Sequence, residues 1–309
     1  MVKLRHYFIA LMALLAMVII GACQAGGYPI DYLASNTMYY NNPNIGAAVV
    51  TSNYIAMIYS FVQLLVVTLF LISMPKGKDW KHILLLIFGI ICMATSIFFY
   101  FTQFTEFEGT VDVPLYGKMG MYIQNAIILV IFGVGIYLAY HFIFSKIDNE
   151  KMFPVMCVLI VAILGELAVS TVFKYLWSRP RPWLVFEPNQ GLDTFRAVYM
   201  PKPFDALFNK NIEHSLLKSF PSGHVGRSGM IFFIFIPLST LVEKYNSRKV
   251  RTFLFYFGSA LMIAQGLLRV ASGAHFLSDV AFGGIIALTV GYFVPRILES
   301  FKVISFKEE

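Results

Sequence analysis

Eight apolar runs, each long enough to cross a bilayer, leave this chain few ways to fold. They extend over about Tyr7–Cys23, Tyr54–Met74, His82–Phe104, Met121–Ser145, Met152–Trp177, Ser222–Glu243, Thr252–Ala271 and His275–Leu298. With 58% hydrophobic and 13% charged residues, the chain is too apolar for an ordinary soluble domain and too poor in charge for a disordered one. The expected class is all-α, a polytopic transmembrane helix bundle. A net charge of +7 in a soluble protein would suggest nucleic acid, but here most Lys and Arg lie in short loops between apolar runs and orient the chain in the membrane. No nucleic-acid partner is expected. Cys23, Cys92 and Cys157 fall in or at the ends of separate runs without ligand spacing, so neither a disulfide nor a zinc site is expected.

The first run follows Lys3 and Arg5 and reads either as a membrane helix or as a signal. Ile20-Gly21-Ala22-Cys23 resembles a bacterial lipoprotein cleavage box. An uncleaved anchor is preferred, because the remaining runs already hold the protein in the membrane. Residues 24–53 lack Lys and Arg and are rich in Tyr, Asn, Gly and Pro, as in an extracytoplasmic loop. Lys76, Lys78 and Lys81 make one basic loop, Lys146 and Lys151 flank a second, and Lys244, Arg248, Lys249 and Arg251 make a third. Counting crossings puts these loops on the side of the amino terminus and the tail. It puts the acidic loop (Glu106, Glu108, Asp112) and the long connection, about residues 178–221, on the other. The basic side is then cytoplasmic. The long connection disagrees, since it carries Arg179, Arg181, Arg196, Lys202, Lys210 and Lys218, but three short loops outvote it.

Parity of crossings also makes four helix ends emerge on one face, whichever face that is. They bring Lys174 and Arg181-Pro182, then Pro221-Ser222-Gly223-His224, then Arg269, His275 and Asp279. Snorkelling anchors account for one or two of these cations. They do not account for two histidines at helix starts, one of them preceded by Ser-Gly. Ser222-Gly223-His224 offers a hydroxyl, close backbone approach and free amides at the positive end of a helix, which together suit an anion. Lys174, Arg181 and Arg269 add enough positive charge to hold a dianionic phosphate. No cluster of carboxylates or histidines marks a metal site on this face, so side chains must balance the charge. On a helix beginning near His275, Asp279 lies one turn along and suits a carboxylate holding an imidazole. Taken alone, the same pair also reads as a helix cap beside a satisfied histidine.

Lys174-x6-Arg181-Pro182, Pro221-Ser222-Gly223-His224 and Arg269-x5-His275-x3-Asp279, in this order, resemble the three-part signature of the type 2 phosphatidic acid phosphatase (PAP2) superfamily. The resemblance covers about Lys174 to Asp279. It implies a six-helix membrane core from about residue 82 to 300, leaving residues 1–81 as two additional helices. It also implies that His275 attacks phosphorus to form a phosphohistidine, that Asp279 orients it, and that His224 protonates the leaving oxygen. Lys174, Arg181, Ser222, Gly223 and Arg269 would bind the phosphate, with no cofactor. Leu268 stands where the family usually has Ser before the third-motif Arg, which removes one hydroxyl from the expected cradle.

Two further residues draw notice. Glu166, two turns before Lys174 with Ser170 between them, is expected to pair with a basic residue near the site, with a catalytic role as the alternative. Arg227, one turn after His224, either touches a lipid head group or anchors its helix at the outer leaflet. The aromatic residues Trp183, Phe186, Phe195, Tyr199, Phe204 and Phe208, interleaved with cations, suggest a cap whose charges attract acidic head groups. The expected activity is hydrolysis of a membrane lipid phosphate or diphosphate outside the cytoplasm, at the inner membrane of a bacterium. Phosphoryl transfer to a second lipid, or an inactive transporter or scaffold that binds anionic lipid, are the competing readings. Phosphatidylglycerophosphate, phosphatidic acid, a polyprenyl diphosphate and a lipid A type phosphate all fit. Oligomeric state is not legible.

Overall fold

The computed structural model describes residues 2–40, 42, 44–77, 79–102, 117–187 and 194–307. Lys78 and the expected acidic loop with Glu106, Glu108 and Asp112 lie outside them. The long helices are α1 (Leu4–Ala22), α3 (Ile45–Ser73), α4 (Trp80–Thr102), α5 (Gly117–Phe142), α6 (Asn149–Trp177), α9 (Gly223–Thr240), α10 (Arg248–Ala271) and α11 (Leu277–Ser300). Between α1 and α3 lie a two-residue hairpin, β1 (Gln24–Ala25) with β2 (Tyr28–Pro29), the short helix α2 (Ile30–Ser35) and a π turn, Asn36–Tyr40. The chain is an all-α, multi-pass membrane bundle, as expected.

Seven of these helices are long and apolar enough to span a membrane, and α9 is the one that is not. Its 18 residues include Gly, Ser, His and Arg, which lower its hydropathy. The reason is its position. It is packed on by α10, α11, α3 and α6 and is buried along most of its length, so protein rather than lipid surrounds it.

α1 lies along α11, and α3 packs on α6, α9 and α10, so both amino-terminal spans touch the helices that carry the three motifs. The intervening pair α4 and α5 makes its main contacts with α3 instead. Hydropathy marks which segments enter the membrane but not which of them become neighbours.

Close approach at the site is permitted by glycine. A methyl group on Gly283 of α11 would stand 2.3 Å from the carbonyl oxygen of Ser222, at the start of α9. Gly283→Ala is therefore expected to cost about 1–3 kcal/mol through overpacking and to lower activity by displacing Ser222. Gly165→Ala in α6, where an added methyl meets nothing within 4 Å, is expected to leave both near wild type. Thermal unfolding and turnover in detergent check the pair.

Candidate active site

Helix α6 ends because Ser178 adopts a left-handed conformation, φ 42°, and because Pro180 and Pro182 cannot continue an α-helix without losing hydrogen bonds. Ser178 Oγ donates to the Tyr175 carbonyl at 3.0 Å and accepts from the Ala206 amide at 2.9 Å, which fixes the turn. The chain then enters the cap, with short helices α7 (Pro182–Val185) and α8 (Asp205–Phe208). Trp177 Nε1 donates to the Val198 carbonyl at 2.6 Å and holds the cap down.

The expectation that the cap's cations face acidic head groups needs qualifying, because most are paired with groups of the protein, though Lys202 and Lys210 remain exposed. Arg196 and Lys202 pair with Asp205 at 2.7 and 3.0 Å, and Lys218 donates to the Tyr175 hydroxyl at 3.1 Å. Arg181 Nε donates to the Ser215 carbonyl at 2.9 Å, and its guanidinium lies over the Trp183 ring. Arg179 is buried altogether. The aromatics divide as well. Trp183 is buried and Phe195 meets Phe276, whereas Tyr199, Phe204 and Phe208 are exposed.

The expected phosphate-binding groups come together around the start of α9. Ser222 is its N-cap, and the Ser222 amide donates to the Asp279 carbonyl at 3.0 Å, tying the second motif to the third. A methyl group on Gly223 would stand 3.7 Å from Lys174 Nζ and 3.8 Å from the Arg227 guanidinium, so both cations flank this glycine. Ser222 Oγ and His224 Nε2 are buried without a hydrogen-bond partner among the described residues. Two such atoms beside cations fit an oxyanion ligand. Arg269 is fully buried at the end of α10, and its carbonyl accepts from the amides of Ala274 and His275. That tight turn needs Gly273, at φ +71°, and delivers His275 just ahead of α11.

His275 and Asp279 are both buried, but not in the direct arrangement expected. Asp279 Oδ2 lies 3.9 Å from His275 Nδ1, beyond hydrogen-bond reach. The ring instead meets the Ser219 carbonyl, with Nδ1 at 2.6 Å. The physical reason is that His275 precedes the helix while Asp279 caps it, accepting from the Phe276 amide at 2.9 Å. Ser219 bridges the two, since its Oγ donates to Asp279 Oδ2 at 2.5 Å. A carbonyl only accepts, so Nδ1 carries the proton and Nε2 of the neutral ring keeps its lone pair.

Burial, with the charges of Arg269, Arg181 and Lys174 nearby, holds the His275 imidazole well below its ordinary protonation range. A value depressed in the folded state keeps the ring neutral as pH falls through about 6.5, where a free histidine is half charged. The linked stability is complete above that range and is lost as pH falls below it. Nitrogen-15 spectra of the purified protein are expected to show His275 neutral at pH 6.5 with the proton on Nδ1. A charged ring there would contradict the assignment.

Of the two secondary residues, Glu166 is buried in α6, accepts from Ser170 Oγ at 3.0 Å and lies against α9, where a methyl on Gly226 would stand 2.8 Å from it. Arg227 and Lys174 lie within electrostatic range of it. Sequence reasoning missed Asp31, Ser219 and Ser278 and gave Arg179 no place in the site. One signal was available: Asp31 is the only charged residue among residues 24–53.

Residues 155–302 match the PAP2 superfamily. A stretch of 119 residues is 33% identical to the lipid A 4'-phosphatase of Francisella tularensis subsp. novicida (strain U112), covering 38% of this chain and 46% of that protein. The chain thus spans about half the length of that curated relative. No solved structure matches.

Proposed function

We propose, for a chain that carries a PAP2 superfamily region over residues 155–302, that it hydrolyses the phosphate of a membrane lipid through a phosphohistidine on His275. The observation that carries this reading is the 2.6 Å contact from His275 Nδ1 to the Ser219 carbonyl, which leaves Nε2 as the nucleophilic nitrogen beside Lys174, Arg181 and Arg269. In the first step the Nε2 lone pair attacks phosphorus, the bond to the lipid oxygen breaks, and His224 gives that oxygen a proton. Lys174, Arg181, Arg269, the Ser222 hydroxyl and the free amides at the start of α9, including that of Gly223, hold the equatorial oxygens as charge builds on them. In the second step His224 takes a proton from water, the water oxygen attacks phosphorus, and the P–N bond breaks to release phosphate and restore the neutral ring. Asp279 acts on His275 through Ser219.

The location follows from the loops. Lys and Arg in the short loops opposite the site make that side cytoplasmic, so the site faces outward from the inner membrane. Exposed Tyr199, Phe204 and Phe208 on the cap suit an interface where a lipid enters between helices. Arg227 beside Gly223 adds a further cation for an anionic head group. The relative named as a lipid A 4'-phosphatase favours a glycolipid phosphate monoester among the possible substrates.

The test offers purified full-length protein a panel of phosphatidic acid, phosphatidylglycerophosphate, a polyprenyl diphosphate and a lipid A type phosphate, in chelator, with His275→Ala as the blank. Inorganic phosphate released from the glycolipid ahead of the others is the expected result. No release above the blank from any substrate would defeat the reading.

A further inference from the structure

We propose that Asp31, in the loop between the first and second membrane spans, is a positioning residue of the active site and acts through Arg179 on Asp279 and the start of α11. The proposal rests on the reading of His275 as the phosphoryl acceptor. It assigns a role in the site to a segment outside the stretch 155–302 that carries the family match.

The contacts form a continuous buried chain. Arg179 Nη2 donates to Asp31 Oδ2 at 2.9 Å, and Arg179 Nη1 donates to Asp279 Oδ1 at 2.5 Å and to Ser278 Oγ at 2.8 Å. Its Nε donates to the Arg196 carbonyl at 2.7 Å, and its Cζ lies 4.4 Å from the Phe276 ring centroid. Asp31 Oδ1 accepts from the Ser278 amide at 2.9 Å, while the Ser278 hydroxyl donates to Asp31 Oδ2. Asp31, Ser278 and Asp279 are 0% exposed and Arg179 is 1% exposed. Beyond Asp279 the chain continues to Ser219 Oγ and, through the Ser219 carbonyl, to His275 Nδ1.

This arrangement does two things that a surface pair cannot. The Ser278 amide belongs to the first turn of α11 and has no partner within the helix, so Asp31 satisfies it and fixes where the helix begins. That start carries both Asp279 and the residue that follows His275. A single guanidinium is also shared between two carboxylates. The group Asp31, Arg179 and Asp279 then carries one net negative charge, and Asp279 is not wholly neutralised by its arginine. Removing Asp31 leaves a one-to-one pair that draws Asp279 toward Arg179 and away from Ser219, loosening the carbonyl that fixes the His275 tautomer.

The seat of Asp31 explains a feature of the first helix. Gly21 is buried, and a methyl group on it would stand 2.5 Å from Asp31 Oδ1. The small residue two positions before Cys23, which resembles part of a cleavage box, therefore has a packing reason: only glycine leaves room for the carboxylate. This gives a second variant that perturbs Asp31 without removing any charge.

The experiment measures kcat, KM and the nitrogen-15 spectrum of His275 in full-length protein, with dioctanoyl phosphatidic acid as the lipid. Asp31→Asn and Gly21→Ala are expected to lower kcat about 30-fold with KM within about twofold, the pattern of a displaced reacting group rather than a lost binding contact. Both are expected to replace the single Nδ1–H form of His275 by a mixture of tautomers. Asn42→Ala removes a different bond from the same loop, Asn42 Nδ2 to the Ala271 carbonyl at 3.2 Å, and is expected to keep the wild-type kcat and spectrum. Unchanged tautomer and kcat in Asp31→Asn would overturn the proposal, as would an equal loss in Asn42→Ala. Should the wild type prove inactive on this lipid and on every substrate of the panel above, the phosphatase reading falls, while the His275 spectra still decide whether Asp31 positions that ring.

Discussion

His275→Ala is expected to bring lipid phosphate hydrolysis down by about 10⁴-fold or more, because on the proposed mechanism it removes the group that forms the covalent intermediate and leaves only binding and electrostatic stabilisation. His224→Ala is expected to behave differently. It loses about 10²–10⁴-fold on lipid substrates, whose alkoxide leaving groups need a proton, the usual range for general acid catalysis. It still forms the phosphoenzyme from p-nitrophenyl phosphate, whose leaving group departs unprotonated. Rapid acid-free quenching with labelled substrate distinguishes the two, since label should accumulate on the protein in His224→Ala and be absent in His275→Ala. Equal residual activity in both, or label on the protein without His275, would reverse or remove these roles.

Arg179→Met is expected to be the most destabilising single substitution at this end of the bundle. It keeps much of the side-chain volume but leaves the Asp31 and Asp279 carboxylates buried without their shared cation. Breaking a buried ion pair by removing one partner costs about 3–5 kcal/mol, more than the pair itself contributes over an apolar replacement. Adding Asp31→Asn and Asp279→Asn to Arg179→Met is therefore expected to recover part of the lost stability. Activity should not return, because the triple variant also lacks the Asp279 carboxylate that holds Ser219. Unfolding followed in detergent by temperature or denaturant checks both statements. A wild-type transition in Arg179→Met would show that the buried pairs contribute nothing to stability.

Much of the membrane bundle and the residue set of the site was legible in the sequence, and particular residues show where legibility stopped. Parity of crossings puts Lys174, Arg181, Ser222, His224, Arg269 and His275 at one end of the helices, since a membrane span permits only two exits. The same reasoning placed Asp279 beside His275 but misjudged the contact. A four-residue spacing puts two side chains on one face only if both lie within the helix, and α11 begins at Leu277, after the histidine. The cap's cations were counted as surface charge because one-dimensional composition does not reveal that Asp205, Tyr175 and two carboxylates fold back onto them. Residues 1–81 were set apart because the family resemblance implies a six-helix core from about residue 82, and the contacts of α1 with α11 and of α3 with α6, α9 and α10 are not visible in the sequence. Packing between membrane helices depends on small residues and matched surfaces, which leave little trace in hydropathy.

The sequence alone determined that the chain is an all-α membrane bundle and which ionisable groups lie at the ends of its helices. Those outcomes follow from the cost of exposing backbone and charge to hydrocarbon, and that cost is additive along the chain. Tertiary structure alone decided that Ser219 stands between Asp279 and His275, and that Asp31 reaches the site from about 150 residues away through Arg179. Buried hydrogen bonds and ion pairs depend on distances of a few tenths of an ångström between groups remote in the chain, and those distances exist only once the helices have packed.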